Sequence, residues 1–209
     1  MNINKAGWMV AALLVAGIVG SGFQKPGDKI GTVDMEKVFN DSTFAKTQTD
    51  NLKTMGQARQ SVLEFLSTYR TIPSADATKF RELALKEKAT DADKAEMDRI
   101  TAAAKLSEQK FRDLSTKAGP TPEELKQIEE FNRRKDATDA LLQTWQQEFM
   151  TEVQTKQASL RTDALKKVKD AIQKVGKDQG YSIVFDASSA PYSANDLTDE
   201  AMKAMNAMK

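Results

Sequence analysis

Apolar residues between Thr121 and Gly176 recur at steps of three and four positions. The set comprises Leu125, Ile128, Leu142, Trp145, Phe149, Val153, Leu160, Ala164, Val168, Ile172 and Val175. This spacing places them in one stripe along a helix. At ~1.5 Å per residue, one helix over the stretch would be roughly 84 Å long. The pattern therefore predicts a long helix whose stripe packs against a partner.

Weaker helical patterns precede the long helix. A helix capped by Asp34 is expected to continue through Leu66 and Tyr69, and to end at a break over 71–75 where Pro73 cannot continue it. A helix over about 75–88 follows, with Ser74 as its cap. Another runs from a cap at Thr90 or Asp91 to about 117. The break at 118–122 is the strongest, with Gly119 to end one helix, Thr121 to cap the next and Pro122 in its first turn.

Two β-branched stretches, 30–33 and 181–185, predict short strands at either end of the helices. Thr198 is expected to cap a last helix. Two short strands do not form a stable sheet alone. We therefore expect several chains to contribute strands to a common body, whose residues include Ile30, Val33, Ile183, Val184 and Phe185.

The predicted fold is mainly α, a long antiparallel helical-hairpin (coiled-coil) arm on a small β-containing oligomerisation body. The body comprises 23–33 and 180–209, and the arm comprises 34–179 with breaks near 71–75 and 118–122. The outgoing limb is longer than the returning one, so the excess around 71–117 must fold back, kink, or thicken one end of the arm.

Residues 1–22 have the pattern of a secretory signal peptide. Lys5 precedes the apolar run Trp8 to Val19, and Gly20, Ser21 and Gly22 are small. The run is shorter than the ~20 residues that span a bilayer. Cleavage and export across the membrane are expected, and an uncleaved anchor is the alternative.

The composition disfavours an enzyme. The chain has no Cys and no His, which removes thiol nucleophiles, imidazole proton shuttles and the usual soft metal ligands. Asp34 and Asp186 each follow a strand and could form a carboxylate pair, although capping and turn formation explain them better. We expect no catalytic, cofactor or metal site.

Charge is balanced over the whole chain. Lys and Arg number 31 against 30 Asp and Glu, and residues 1–22 hold only Lys5. This balance gives no reason to expect nucleic acid as a partner. Arg133, Arg134 and Lys135 form a local basic cluster that could contact acidic proteins or transiently a membrane surface, or simply be a solvated helix face with pairs such as Glu130 to Arg134.

Two segments carry a family resemblance. Ile30-Gly31-Thr32-Val33-Asp34-Met35-Glu36-Lys37-Val38-Phe39 resembles the first strand and helix start of the OmpH/Skp family. Gly180-Tyr181-Ser182-Ile183-Val184-Phe185-Asp186, then Ala190-Pro191-Tyr192-Ser193 and the stretch from Asp196 to Asn206, resemble its closing strands and last helix. The middle of the chain is similar in type only.

The resemblance implies an ATP-independent periplasmic holdase chaperone. Such proteins are homotrimers with a small β-barrel body and helical arms, and they hold unfolded outer-membrane or exported proteins between the arms. Studied relatives are strongly basic, whereas this chain is neutral. The alternative function is a structural coiled-coil protein of the cell envelope.

A holdase needs apolar side chains that face a client. The candidates are Leu66, Tyr69, Ile72 and Phe80, with Arg133 and Arg134 as charged contacts. For Trp145 and Phe149, which are in step with the stripe, we favour packing in the hairpin seam. The row Met202, Met205 and Met208 more often marks the packed face of a terminal helix than a client surface.

Overall fold

The structure is a computed structural model that describes residues 29–190 and 193–208. Its elements are β1 (Lys29–Val33), α1 (Met35–Asn40), α2 (Thr43–Thr68), α3 (Ser74–Ala84), α4 (Asp91–Ser115), α5 (Pro122–Asp178), β2 (Tyr181–Asp186) and α6 (Thr198–Ala207). The fold is mainly α with a small parallel sheet, as predicted. The predicted signal peptide and the segment Pro191 to Tyr192 lie outside the described residues.

Local capping explains where most helices begin. The Asp34 carboxylate accepts from the backbone N–H of Lys37 at 2.8 Å, as expected for the cap of α1. Thr90 and Asp93 form a reciprocal capping box at the start of α4. Two predicted caps are wrong, because Ser74 and Thr198 are the first helical residues of α3 and α6.

The turn before α5 also follows the prediction. Gly119 has a φ of +69°, a conformation that glycine adopts without steric cost. Thr121 then accepts from the N–H of Glu124, whose carboxylate accepts in return from the N–H of Thr121. These reciprocal bonds satisfy two otherwise unpaired donors at the start of the 57-residue helix α5.

The described residues form two compact units, and both take residues from α2 and α5. The strand unit comprises 29–48 and 160–208, and the helix unit comprises Thr49–Ser159. The strand unit therefore includes α1 and the last part of α5, which the predicted body of 23–33 and 180–209 left in the arm. As a division into domains, the predicted boundaries stay a prediction.

In the strand unit, β1 and β2 pair in parallel, with Ile30 opposite Ile183 and Thr32 opposite Phe185. The other edge of β1 pairs with the segment before α6, since the N–H of Thr32 donates to the carbonyl of Asn195 at 2.8 Å. One face of the sheet packs on the helices. The buried residues of this core are Val33, Val38, Val168, Ala171, Ala201 and Met205.

In the helix unit, α2, α3, α4 and α5 share one core. Its buried residues are Val62, Phe65, Leu66, Ile72, Ala77, Leu83, Ile100, Ala104, Trp145 and Phe149. The excess length around 71–117 therefore folds into separate helices that pack together. The short helix α3 folds back along α2, because Phe80 stacks on Phe65, and the four helices that share the core also make this part of the arm thicker.

Candidate functional site

The aromatic residues of the α5 stripe are internal packing residues of the helix unit. Trp145 and Phe149 are each only 4% exposed. The guanidinium of Arg81 lies 4.9 Å from both ring centroids and pairs with Glu148 at 2.8 Å. A cation over an aromatic face stabilises such a contact. The preferred interpretation of Trp145 and Phe149, as seam residues, is confirmed.

Two of the apolar candidates for client contact are buried. Leu66 is 0% and Ile72 is 1% exposed. The break that contains Ile72 is held by α4, because the N–H of Thr71 donates to Glu108 at 2.6 Å and the hydroxyls of Thr71 and Ser107 lie 2.9 Å apart. Client contact by Leu66 or Ile72 stays a prediction, and it would require this core to open.

The other two apolar candidates lie at the edge of the same core. Phe80 stacks on the buried ring of Phe65 with centroids 3.7 Å apart, and Tyr69 lies tilted against Phe65 at 5.1 Å. Tyr69 and Phe80 are both partly exposed. They can therefore contribute to packing and still present an edge to another molecule.

The basic candidates Arg133 and Arg134 are paired with acids on their own helix. Arg134 donates to Glu130 at 3.0 Å, and Arg133 pairs with both Glu129 and Glu130. Hydrogen bonds from Arg134 and then Arg133 lower the pKa of Glu130 below its usual value. The pair Glu130 to Arg134, anticipated from its spacing, is present. Exposed pairs of this kind contribute little stability.

An open groove with a volume of about 470 Å³ lies between α4 and α5 in the helix unit. Residues 103, 106, 107 and 110 of α4 line it, and so do 126, 127, 130, 131 and 134 of α5. Phe131, which is 6% exposed, contributes a buried apolar surface. Leu106 is 68% exposed, the highest value for a large apolar side chain among the described residues.

Three cations and one carboxylate line the same groove, namely Lys110, Lys126, Arg134 and Glu130. Of the lining residues, only Arg134, as a client contact, and Glu130, as its ion-pair partner, were named from the sequence. The lining residues share a spacing of i, i+3, i+4 and i+7 on each helix, which places them on one helix face. It went unrecognised because the α4 positions hold Ala, Leu, Ser and Lys, which form no hydrophobic stripe.

The five residues predicted for an oligomerisation body divide between the two faces of the sheet. Val33 is 2% exposed, and Val184 packs against the core of the strand unit. Ile183 and Phe185 are 47% and 44% exposed. Ile30 is intermediate in exposure and lies opposite Ile183 in the sheet. β2 thus presents two apolar side chains to solvent on the face opposite the core.

The carboxylates considered for acid–base chemistry have local structural partners. Asp34 caps α1, and Asp186 accepts from the N–H of Ser188 at 2.8 Å. Within the described ranges, no group of three or more Asp and Glu residues is placed to hold a metal ion. In the last helix, Met205 is 1% exposed and Met202 and Met208 pack beside it, as expected for a packed face.

Among residues 29–190 and 193–208, no helix combines the length and the apolar character needed to cross a bilayer. A search of curated proteins found no match to the chain. A family model described as "Outer membrane protein (OmpH-like)" matches residues 29–205, which covers both units. The match spans most of the sequence and includes all but the last residue of the two segments that carry the resemblance, and the chain therefore belongs to the OmpH-like outer membrane protein family.

Proposed function

We propose that this protein is an ATP-independent holdase chaperone of the periplasm that binds unfolded outer-membrane or exported proteins. The observation that carries the proposal is the family match, which runs from the first strand almost to the end of the last helix. Binding between helical arms, without a chemical step, is the activity that this family membership favours.

The surface of the helix unit supports weak, dispersed binding. Leu106, Leu125 and Met150 are 68%, 53% and 43% exposed. Their neighbours along the helices are mostly charged or polar, such as Lys105 and Lys126. Separate apolar contacts of this kind hold an extended chain without offering it a single deep pocket in which to fold. The helices themselves pack on the shared core of the helix unit.

We further propose that the body oligomerises through β2, as a homotrimer. β2 pairs with β1 on one side, and the described residues contain only these two strands. Its exposed Ile183 and Phe185 would lose apolar area to water on association, which favours burial by ~25 cal/mol per Å². A trimer would bring several helix units around one client.

Periplasmic location depends on residues 1–22 acting as a signal peptide. Expression of the full chain, followed by cell fractionation and N-terminal sequencing, tests this part. A mature N-terminus near Gly22 or Phe23 in the periplasmic fraction supports export. Retention of residues 1–22 on membrane-bound protein would instead favour the anchored structural alternative.

The holdase activity is tested by turbidity. A urea-denatured outer-membrane protein is diluted into buffer with and without this protein, without nucleotide, at a several-fold excess of trimer. We expect light scattering to be suppressed in proportion to the amount of chaperone added. Scattering that equals the buffer control, at every ratio up to that excess, would defeat the proposal.

A further inference from the structure

We propose that the groove between α4 and α5 is a docking site for client segments in which an apolar side chain lies beside carboxylates. The inference rests on the proposed holdase function, which it makes more specific. It assigns recognition to Leu106, Phe131, Lys110 and Lys126, none of which belongs to the candidate set drawn from the sequence.

The apolar part of the groove fits a side chain of a client. Leu106 leaves 68% of its surface in water and supplies most of the accessible apolar lining, whereas the buried Phe131 closes the groove beneath it. A volume of about 470 Å³ lies within the range of ~300–1,000 Å³ that is typical of binding sites. An inserted leucine or phenylalanine would remove apolar surface of both partners from water, which is favourable.

The positive charges of the groove lining favour a client segment that has carboxylates beside the inserted side chain. Lys110 and Lys126 take part in no salt bridge among the described residues, whereas Arg134 pairs with Glu130. The lining therefore carries a net charge of +2, and its two lysines are available for carboxylates of a partner. The electrostatic contribution is local, so it can operate in a chain whose total charge is close to zero.

The concave shape of the groove favours a peptide over a membrane surface as its ligand. The lining residues come from two helices, and Phe131 is 6% exposed between them. A planar array of lipid headgroups would contact exposed lysines but would not enter the space between the two helices. An extended peptide can lie along the groove with one side chain inserted and its carboxylates beside Lys110 and Lys126.

The test uses the full mature chain and a fluorescein-labelled peptide, Gly-Asp-Leu-Phe-Asp-Leu-Asp-Gly, with fluorescence anisotropy as the readout. Comparison probes are the same peptide with Asn in place of Asp, and vesicles of phosphatidylethanolamine with phosphatidylglycerol. The groove variants are Leu106→Ala and the double variant Lys110→Glu with Lys126→Glu. Matched controls are Leu165→Ala, another exposed leucine, and Lys105→Glu, which lies on α4 outside the groove lining.

We expect the acidic peptide to bind and the Asn peptide to bind more weakly. Reversing both lysines should weaken binding by about five- to tenfold, the effect of two partly exposed charge pairs. Leu106→Ala should weaken it severalfold, and neither control should change it. Equal binding of the Asp and Asn peptides, equal loss in the controls, or binding of vesicles but not of the acidic peptide would each overturn the proposal. Circular dichroism verifies that the variants are folded.

The groove and the chaperone function can fail separately. If the unaltered protein suppresses aggregation but does not bind the acidic peptide, the groove proposal fails and the holdase proposal stands. If it binds the peptide with the expected variant pattern but does not suppress aggregation, the groove stands as a peptide site and the holdase proposal fails.

Discussion

Replacing Leu66 by alanine distinguishes a structural residue from a client contact. Leu66 is fully buried in the helix unit, within the core that also contains Ile100 and Phe149. Leu66→Ala removes three carbon groups, which cost about 2.4 kcal/mol in lost transfer free energy at ~0.8 kcal/mol each. The cavity left behind raises the expected loss of unfolding free energy to about 3–4 kcal/mol.

Urea unfolding followed by circular dichroism at 222 nm measures this loss. With a denaturant slope of about 2 kcal/mol per molar, the midpoint should fall by about 1.5–2 M. Leu106→Ala is the matched control, because the same truncation at a 68% exposed position should change stability by less than ~0.5 kcal/mol. If Leu66→Ala left the midpoint unchanged but weakened client retention, Leu66 would be a surface contact and the packing argument would be refuted.

Three further predictions concern the strand unit and α4. Ile183→Glu should dissociate the oligomer, as measured by size-exclusion chromatography with light scattering. Leu165→Glu, at a 39% exposed site on α5, should leave the oligomer intact. Equal masses for the two variants would contradict an interface through β2. Thr90→Ala should destabilise the helix unit by about 1 kcal/mol in urea unfolding, because it removes the cap of α4, and an unchanged midpoint would argue against the capping box. Hydrogen bonds from Lys86 and then Thr90 lower the pKa of Asp93 to about 2. The ionised carboxylate therefore stabilises the fold fully above its unfolded pKa of 3.8, and this stabilisation is lost as pH falls toward 2. NMR titration should show the pKa of Asp93 rising in Lys86→Ala, and an Asp93 that titrates near 3.8 in the unaltered protein would refute the assignment.

The features that sequence predicted well are set by local interactions. The start of α5 is fixed by Thr121, Pro122 and Glu124, which are close neighbours, and its apolar period made the packing of Trp145 and Phe149 predictable. The strands at either end were evident from β-branched residues. The parallel pairing of β1 with β2 could not be predicted from the sequence of either strand, because it joins residues about 150 positions apart.

The features that sequence missed depend on contacts between distant segments. Ile72 lies between the polar Thr71 and Pro73, a pattern typical of an exposed loop. In the structure, however, Thr71 bonds to Glu108 and Ser107 of α4, which are 37 and 36 positions away, and both Thr71 and Ile72 are buried. The groove arises where one face of α4 meets one face of α5, and neither face is a hydrophobic stripe. No sequence break marks the division between the two units at 159–160, because α5 continues through it.

Isolation of a client complex shows whether this chain holds unfolded clients as an oligomer. A denatured outer-membrane protein is diluted into an excess of this protein, and the soluble fraction is analysed by size-exclusion chromatography with multi-angle light scattering. We expect a single soluble species whose mass equals one client and one trimer, formed without nucleotide. Client found only in the pellet, while this protein elutes unchanged, would contradict it.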